Sequence, residues 1–481
     1  MKLFFKLSAF VLVIISAISL VFADHHQVET SMWGFTPSRN LVSDETNLPI
    51  EWDPDTGKNI KWVTQLGSQS YAGPIVHGDK IFVGTNNQAL YNPKLTGDRG
   101  VIAAFNESDG QFLWQSTHTK LTAGRVNDWP QQGICSTPYI EGDRLYYISN
   151  RCQVVCVDTE GFLDGENDGP YTEETETSEI DGDIIWIYDM MEELDVFPHN
   201  LATCSPVGAG DLLFVETSNG VDEGHIHIPS PLAPSFIAVK KETGELVWED
   251  ASPGQNILHG QWANPAYAVI EGTPQVIFPG GDGVVYALEP ETGELIWKFD
   301  CNPKESVWEL GGRGTRNSII ATPVVYNDRV FIAVGQDPEH GEGAGHLWAI
   351  DATQTGDVTE SAEVWHFGNK DYSRTMSTVA IQNGLLFTAD LSGFVYCLDA
   401  ETGQHHWTYD TFAAIWASAF VADGKVYIGD EDGDLAVLEA SKEKKLLYEV
   451  NMESAVYTTP VAKSGVLYIV SRNQLFAIES Q

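Results

Sequence analysis

The chain has 481 residues and a formal net charge of -41, from 27 lysines and arginines against 68 aspartates and glutamates. This charge argues against partners that bind through negative phosphates, such as nucleic acid or anionic lipid surfaces. A chain of this length can also bury a large core without disulfides.

The first residues predict a secretory signal peptide over 1–23. Two lysines precede an apolar run that ends at Ala23, which is the usual layout of basic start, apolar middle and small cleavage residue. The mature chain should begin near Asp24, and residues 24–52 form an N-terminal arm. No cysteine follows the apolar run to carry a lipid anchor, and no later stretch reaches the ~18 apolar residues of a membrane span. We therefore expect an exported protein, periplasmic or extracellular.

A strand–turn–strand pattern recurs from residue 53 to the end of the chain. Residues Gly283 to Trp297 form an apolar strand, a turn ending in Thr-Gly, and a second strand closed by tryptophan. The alternation and the turn residues are typical of a β-hairpin. The small residue inside the first strand recurs at eight positions, which indicates eight repeats: Ala104, Cys156, Ala238, Ala287, Ala349, Cys397, Val437 and Ala477.

Each repeat also contains an inner hairpin, often opened by Thr-Pro or Ser-Pro, so a repeat has four strands. The chain after residue 53 is therefore predicted to be all-β, a single domain over 53–481 forming an eight-bladed β-propeller of four-stranded antiparallel blades. The eighth copy ends before its closing strand. The segment from Lys58 to Trp62 supplies the missing strand, so the N-terminal strand should complete the C-terminal blade and leave no open sheet edge.

The Ala-x-Asp-x-x-Thr-Gly-x-x-x-Trp pattern resembles the tryptophan-docking repeat of pyrroloquinoline quinone (PQQ) propellers. That group includes quinoprotein alcohol dehydrogenases and the propeller lipoprotein of outer-membrane protein assembly. The resemblance covers nearly all of the chain after residue 53. It implies the fold, and it implies two functions: oxidation of alcohols or sugars with PQQ and calcium over the channel, or a non-catalytic scaffold.

The connections after Trp114, Trp186, Trp248 and Trp297 are longer than those elsewhere in the ring, so one face is built up. Long loops on a rigid scaffold often carry binding groups. The pocket candidates in them are Arg125, Asp128, Trp129, His199, Asn200, His259, Gln261, Arg313, Arg316 and Asn317. Arginines could bind an anion, and histidines could transfer protons near neutral pH. The alternative is that these groups cap loop backbone and pair with carboxylates.

Aromatic residues occupy several of the positions that open the inner strands, namely Tyr71, Trp262, Trp416 and Tyr457. Tyr71, Trp416 and Tyr457 belong to neighbouring blades, so they are expected to cluster at the rim of the channel. They could offer a stacking surface to a ligand or fill the channel.

Two histidine-rich stretches, 222–227 and 337–346, fall in loops between second and third strands. Imidazole and carboxylate groups together can hold zinc or another transition metal. Because the two stretches come from the third and fifth blades and match no known ligand spacing, we expect exposed loop histidines without metal.

An acidic insertion over 159–183 carries Asp164, Glu166 and Asp168 at alternate positions before a glycine. This order resembles part of a calcium loop, although a threonine, Thr175, stands where an EF-hand has glutamate. Calcium is the ion this segment could bind, and the alternative is a solvated acidic loop.

Six cysteines lie in the mature chain. Cys135 and Cys152 flank adjacent antiparallel strands and could form a disulfide, with Cys204 as a competing partner. Cys156 and Cys397 replace alanine in the repeat and are expected in the core.

The sequence favours a non-catalytic binding or interaction scaffold, with a PQQ-dependent oxidoreductase as the alternative. In the alcohol-oxidising branch of the family that the repeat resembles, adjacent cysteines cover the quinone, and some members carry a Cys-x-x-Cys-His haem sequence. This chain has neither, which weakens the alcohol dehydrogenase branch but does not exclude sugar-oxidising relatives. The pattern identifies no catalytic residue, substrate or partner. PQQ is expected as a cofactor only if the chain is the oxidoreductase.

Overall fold

The computed structural model describes residues 30–341 and 343–480, so the predicted signal peptide lies outside the described residues. Eight antiparallel sheets form the ring, which confirms the predicted fold. The first four blades consist of Ile75–His77, Lys80–Asn86, Arg99–Asn106 and Phe112–Thr119; Tyr139–Glu141, Arg144–Ile148, Gln153–Asp158 and Ile184–Asp189; Val207–Ala209, Leu212–Glu216, Phe236–Lys240 and Leu246–Asp250; and Ala266–Ile270, Thr273–Pro279, Val284–Leu288 and Leu295–Asp300.

The second half of the ring repeats this plan. Blades 5 to 8 consist of Val324–Tyr326, Arg329–Val334, Ala344–Asp351 and Glu363–Ser373; Ala380–Gln382, Leu385–Ala389, Phe394–Asp399 and His405–Asp410; Phe420–Ala422, Lys425–Gly429, Asp434–Glu439 and Leu446–Asn451; and Val461–Lys463, Val466–Val470, Gln474–Glu479 and Ile60–Gln65. Short strands at Thr30–Ser31, Gly356–Asp357 and Val42–Ser43 extend blades 2, 4 and 7. Helical turns occur at Asn87–Ala89, Gly124–Val126, Gly161–Leu163, Met190–Leu194, Gly254–Asn256 and Leu310–Gly312.

The ring closes as predicted. Ile60–Gln65 pairs antiparallel with Gln474–Glu479, with Trp62 opposite Ala477. The N-terminal strand is thus the outer strand of the last blade, and both ends of the ring are held by a full ladder of backbone hydrogen bonds.

The repeated tryptophan and glycine form the contact between neighbouring blades. The Trp186 ring of blade 2 lies against Gly244 in the turn of blade 3, and its indole N–H donates to the Lys241 carbonyl at 3.0 Å. Indoles that donate in this way to a carbonyl of the following blade, at 2.7 to 3.2 Å, are those of Trp62, Trp114, Trp186, Trp248, Trp365 and Trp407. The pattern that identifies the repeat is therefore an inter-blade docking device.

A ring of polar side chains joins the inner strands around the channel. The Thr322 N–H donates to Thr378 Oγ1 at 3.0 Å, and the Thr378 N–H donates to Ser418 Oγ at 2.9 Å. Side chains that accept a backbone N–H from the preceding blade, at 2.6 to 3.0 Å, are those of Thr137, Ser205, Asn264, Thr378 and Ser418. Thr322 Oγ1 accepts from the Asn264 side-chain amide at 2.9 Å. The Thr-Pro and Ser-Pro openings noted in the sequence supply much of this ring.

The N-terminal arm crosses the channel and contacts every blade. Arg39 is fully buried, and its guanidinium donates to the carbonyls of Trp33, Ser205 and Pro265 at 2.6 to 2.8 Å. Burial lowers the pKa of Arg39 to about 10. Other arm contacts include backbone or side-chain hydrogen bonds to Val76, Ile140, Tyr267, Val325, Ile381, Val421 and Gly465. The arm thus ties all eight blades together.

Candidate functional site

A cavity of about 470 Å³ lies over the channel, with Trp33 of the arm among its lining residues. Its wall is made of aromatic rings, hydroxyls and amides, and its acidic members are Asp337 and Glu339. Among the described residues that line it there is no lysine or arginine. Such a surface suits an uncharged or cationic group with an apolar face.

The predicted aromatic residues line this cavity on two sides. Tyr71 and Tyr457 stack with centroids 5.0 Å apart and planes at 19°, and Trp416 meets Tyr457 edge-on at 5.7 Å. Burial raises the pKa of Tyr71 and of Tyr457, so both phenols are neutral. Trp262 stands apart from these three, against His199 and His259.

Beside Trp262, four side chains from four chain segments converge; we call His199, His225, His259 and Glu339 the histidine cluster. One donor atom from each lies within 4.8 Å of all the others. His259 Nε2 is 3.3 Å from His225 Nε2 and 3.6 Å from Glu339 Oε2. His199 and His259 come from the connections that enter blades 3 and 4, whereas His225 and Glu339 come from loops within blades 3 and 5.

Hydrogen bonds orient the two buried imidazoles. His199 Nδ1 lies 2.8 Å from the Val221 carbonyl, which can only accept, so Nδ1 carries the proton. His259 Nδ1 faces Asp337 Oδ2 at 3.2 Å, and His340 Nδ1 faces the same oxygen at 2.6 Å. Burial opposes ionisation of Asp337, but the hydrogen bonds from the two histidines hold its pKa well below its usual range.

The neutral form of His199 is strongly favoured. Burial, together with the neighbouring His259, lowers its pKa to about 3, and burial also lowers the pKa of His225. With Nδ1 protonated, the lone pair of His199 is on Nε2, and this atom is buried without a hydrogen-bond partner among the described residues.

The expectation of exposed, separate histidines was wrong for His225 and His340. Blade 4 has only a tight turn between its second and third strands, so the loops of blades 3 and 5 meet above it. Gly311 and Gly312 pack beneath them, where a Cβ would lie 2.7 Å from His225 and His340 respectively. Of the other histidines in these stretches, His227 is exposed, and His346 Nδ1 lies 3.0 Å from His366 Nε2.

Comparisons with known proteins agree with this architecture. The family described as outer membrane protein assembly factor BamB matches residues 354–481. BamB of Moranella endobia is 22% identical over 249 residues, 51% of this chain and 56% of the relative. A polyvinylalcohol dehydrogenase from Pseudomonas sp is 23% identical over 425 residues, 81% of this chain and 55% of the relative.

The chain is an eight-bladed propeller that is similar in sequence to BamB and to quinoprotein dehydrogenases. It spans about half the length of these curated relatives. The structure of a europium-containing methanol dehydrogenase superposes with a TM-score of 0.59 at 12% identity, over 93% of this chain and 97% of that chain. Its relatives thus include an assembly factor and dehydrogenases, and at these identities the likeness shows the fold alone.

The cavity of this propeller does not fit PQQ. The quinone carries three carboxylates, and these need positively charged groups or hydrogen-bond donors as partners. The charged residues that line the cavity, Asp337 and Glu339, are both acidic. Binding there would bring like charges together in a partly buried space.

The arginines expected to bind an anion have other partners in the propeller. The Arg125 guanidinium lies 4.7 Å from the Trp129 ring centre and pairs with Glu223 at 3.4 Å. Arg316 donates to Asp300 at 2.8 Å and to the Asp282 carbonyl at 3.0 Å. Arg313 is exposed at the surface.

Most of the remaining pocket candidates stabilise loops. Asp128 is buried and accepts hydrogen bonds from the Leu121 N–H and from Asn150. Gln261 is buried and donates to Ser235 and to the Asn219 carbonyl, and the Asn317 backbone is bonded to Asn302. Of the ten candidates, those that reach the cavity or the histidine cluster are Trp129, His199, Asn200 and His259.

The acidic insertion brings together a different set of carboxylates from the predicted one. Asp164 and Asp168 meet Asp158, whereas the Glu166 N–H donates to Asp164. Arg144 lies 2.6 Å from Asp158 and 4.0 Å from Asp168, so a protein cation already neutralises part of this group.

All six cysteines lie in the described part of the chain, and none forms a disulfide. The predicted Cys135–Cys152 bridge is absent, because the Cys152 thiol points into the next blade and donates to the Thr217 carbonyl at 3.4 Å. Cys156 and Cys397 are fully buried in the core, as their repeat positions predict.

Proposed function

We propose that this chain is an exported, non-catalytic propeller that binds a partner over its channel mouth. The observation that carries the proposal is the cavity itself, which is aromatic and hydroxyl-lined, has acidic but no basic lining residues among those described, and has the arm's Trp33 in its wall. A ring held by the arm and by docked tryptophans is a rigid platform, and rigid platforms lose little conformational entropy on binding.

A polypeptide segment with an apolar or cationic side chain suits this mouth best. Tyr71, Tyr457 and Trp416 offer ring faces to an apolar group, whereas Asp337 and Glu339 favour a positive charge over a negative one. The BamB relative is named as a factor in outer membrane protein assembly, which supports an interaction with protein at the cell envelope.

The alternative is a PQQ-dependent oxidoreductase acting on alcohols or sugars. The polyvinylalcohol dehydrogenase that aligns with 81% of the chain favours it, and the acidic cavity opposes it.

Among residues 30–341 and 343–480 there is no helix of the length and apolar character needed to cross a membrane.

The deciding experiment is calorimetric titration of the purified chain with PQQ, with and without calcium, followed by dye-coupled turnover on a panel of alcohols and sugars. We expect no heat of binding at millimolar quinone and no turnover. Calcium-dependent binding with turnover would overturn the proposal in favour of the oxidoreductase.

Binding at the mouth is tested separately by photo-cross-linking in the native host. A photoreactive amino acid replaces Trp416 at the cavity, and in a matched variant it replaces Asn383, an exposed turn residue of an inner hairpin. A discrete adduct with one polypeptide from position 416 alone is expected. Equal labelling from both positions, or none from 416, would contradict the proposed site.

A further inference from the structure

The histidine cluster leaves one buried nitrogen lone pair without a partner among residues 30–341 and 343–480. His199 is 1% exposed, and its Nδ1–H donates to the Val221 carbonyl. Its ring centre lies 4.4 Å from that of His259 and 4.9 Å from that of His225, so the lone pair on Nε2 belongs to the cluster. Buried polar atoms in proteins are nearly always bonded, so an unbonded one calls for a partner such as an ion or a water molecule.

The spacing of the donors matches tetrahedral coordination. Zinc binds imidazole nitrogen at about 2.0–2.1 Å, and a tetrahedron with such bonds has edges of about 3.3 Å. The edge from His259 Nε2 to His225 Nε2 is 3.3 Å, and the edge from His259 Nε2 to Glu339 Oε2 is 3.6 Å. The remaining pairs of donor atoms lie within 4.8 Å of each other, so small rotations of the side chains would complete the tetrahedron.

The surroundings of the cluster resemble the outer shell of a metal site. A carboxylate behind a metal-binding imidazole fixes its tautomer and raises its basicity, and Asp337 holds this position behind His259. The backbone carbonyl of Val221 does the same for His199. In both buried imidazoles the lone pair that could bind a metal is therefore on Nε2.

We propose that His199, His225, His259 and Glu339 bind a divalent transition metal, with zinc as the ion that the three imidazoles and one carboxylate fit best. The Glu339 side chain is 44% exposed and lines the cavity, so it is the ligand that a donor group on a bound molecule could displace. The site is independent of the proposed scaffold function, because it requires only that these four side chains meet.

The test uses the full exported chain, stripped of metal with a chelator and titrated calorimetrically with zinc. His225→Ala removes a half-exposed ligand, and His227→Ala is the matched control, because His227 lies two residues away in the same loop and is exposed. We expect one zinc per chain in the wild type and the control. His225→Ala should weaken binding at least 100-fold.

A second measurement guards against a folding defect in the variant. Cobalt replaces zinc in the wild type and in Glu339→Gln, and the visible absorption of cobalt distinguishes tetrahedral from six-coordinate binding. We expect a tetrahedral spectrum in the wild type that shifts in Glu339→Gln. The proposal is overturned if the wild type binds no zinc, if His225→Ala and His227→Ala bind equally, or if the cobalt spectrum is six-coordinate and unchanged by Glu339→Gln.

Discussion

Replacing Gly244 with alanine tests whether tryptophan docking stabilises the ring. Gly244 has φ +73°, and a Cβ there would lie 2.5 Å from Cε3 of Trp186. Gly57 is the matched site, because it has φ +74° in the corresponding turn of blade 8 and no atom within 4 Å of its Cβ position. Blade 7 has Tyr448 where the other blades have tryptophan, opposite Val437. The Tyr448 ring packs against Trp52, so no ring lies over Gly57.

The two substitutions share the cost of a left-handed residue, about 1–2 kcal/mol. Gly244→Ala adds a steric cost, because carbon atoms in contact are separated by ~3.5–4.0 Å and overpacking a filled space costs about 1–3 kcal/mol. We therefore expect Gly244→Ala to lower the free energy of unfolding by about 1–3 kcal/mol more than Gly57→Ala does.

Urea unfolding followed by far-ultraviolet circular dichroism measures both losses. In a Trp186→Leu background, the extra cost of Gly244→Ala should largely disappear, since the clashing ring is gone. Equal losses for the two glycines in the wild-type background would refute the docking argument.

Other substitutions probe the arm, the polar ring and a buried acid. Arg39→Met removes the donor to three buried carbonyls, and urea unfolding should show a loss of about 3 kcal/mol or more; an unchanged midpoint would mean that the arm does not hold the ring. Thr378→Val removes the acceptor of the Thr322 N–H and should cost about 1–3 kcal/mol by the same assay, whereas the exposed control Thr96→Val should cost little. Burial raises the pKa of Glu216 well above 4.5, so folding favours its protonated form and its contribution to stability falls as pH rises above 4.5. Glu216→Gln should therefore gain stability relative to the wild type between pH 4.5 and pH 8; a pH-independent difference in unfolding free energy would contradict this.

The sequence was sufficient to predict the ring because every repeat is one blade. Trp186 and Gly244 are separated by a whole blade of sequence, yet their positions in the pattern give the contact between blades. The closure by Ile60–Gln65 was equally predictable, since the last copy lacks a strand and the first residues after the arm supply one.

The histidine cluster could not be predicted from spacing. His225 and Glu339 belong to blades that are not neighbours, and they meet only because the loop of blade 4 is short. The signal was present in loop lengths, since a tight turn flanked by two long loops leaves space that the long loops fill. The path of the arm was also hidden, because Arg39 carries no pattern that marks it as buried.

The histidine cluster depends on the contacts that dock the blades and hold the arm. The four members of the histidine cluster come from chain segments spread over blades 2 to 5, so the cluster forms only when these blades are docked in order. Arg39 bonds to the carbonyls of Ser205 and Pro265, which lie between His199 and His259 respectively and the inner strands of blades 3 and 4. The arm therefore also holds the segments from which the cluster is built.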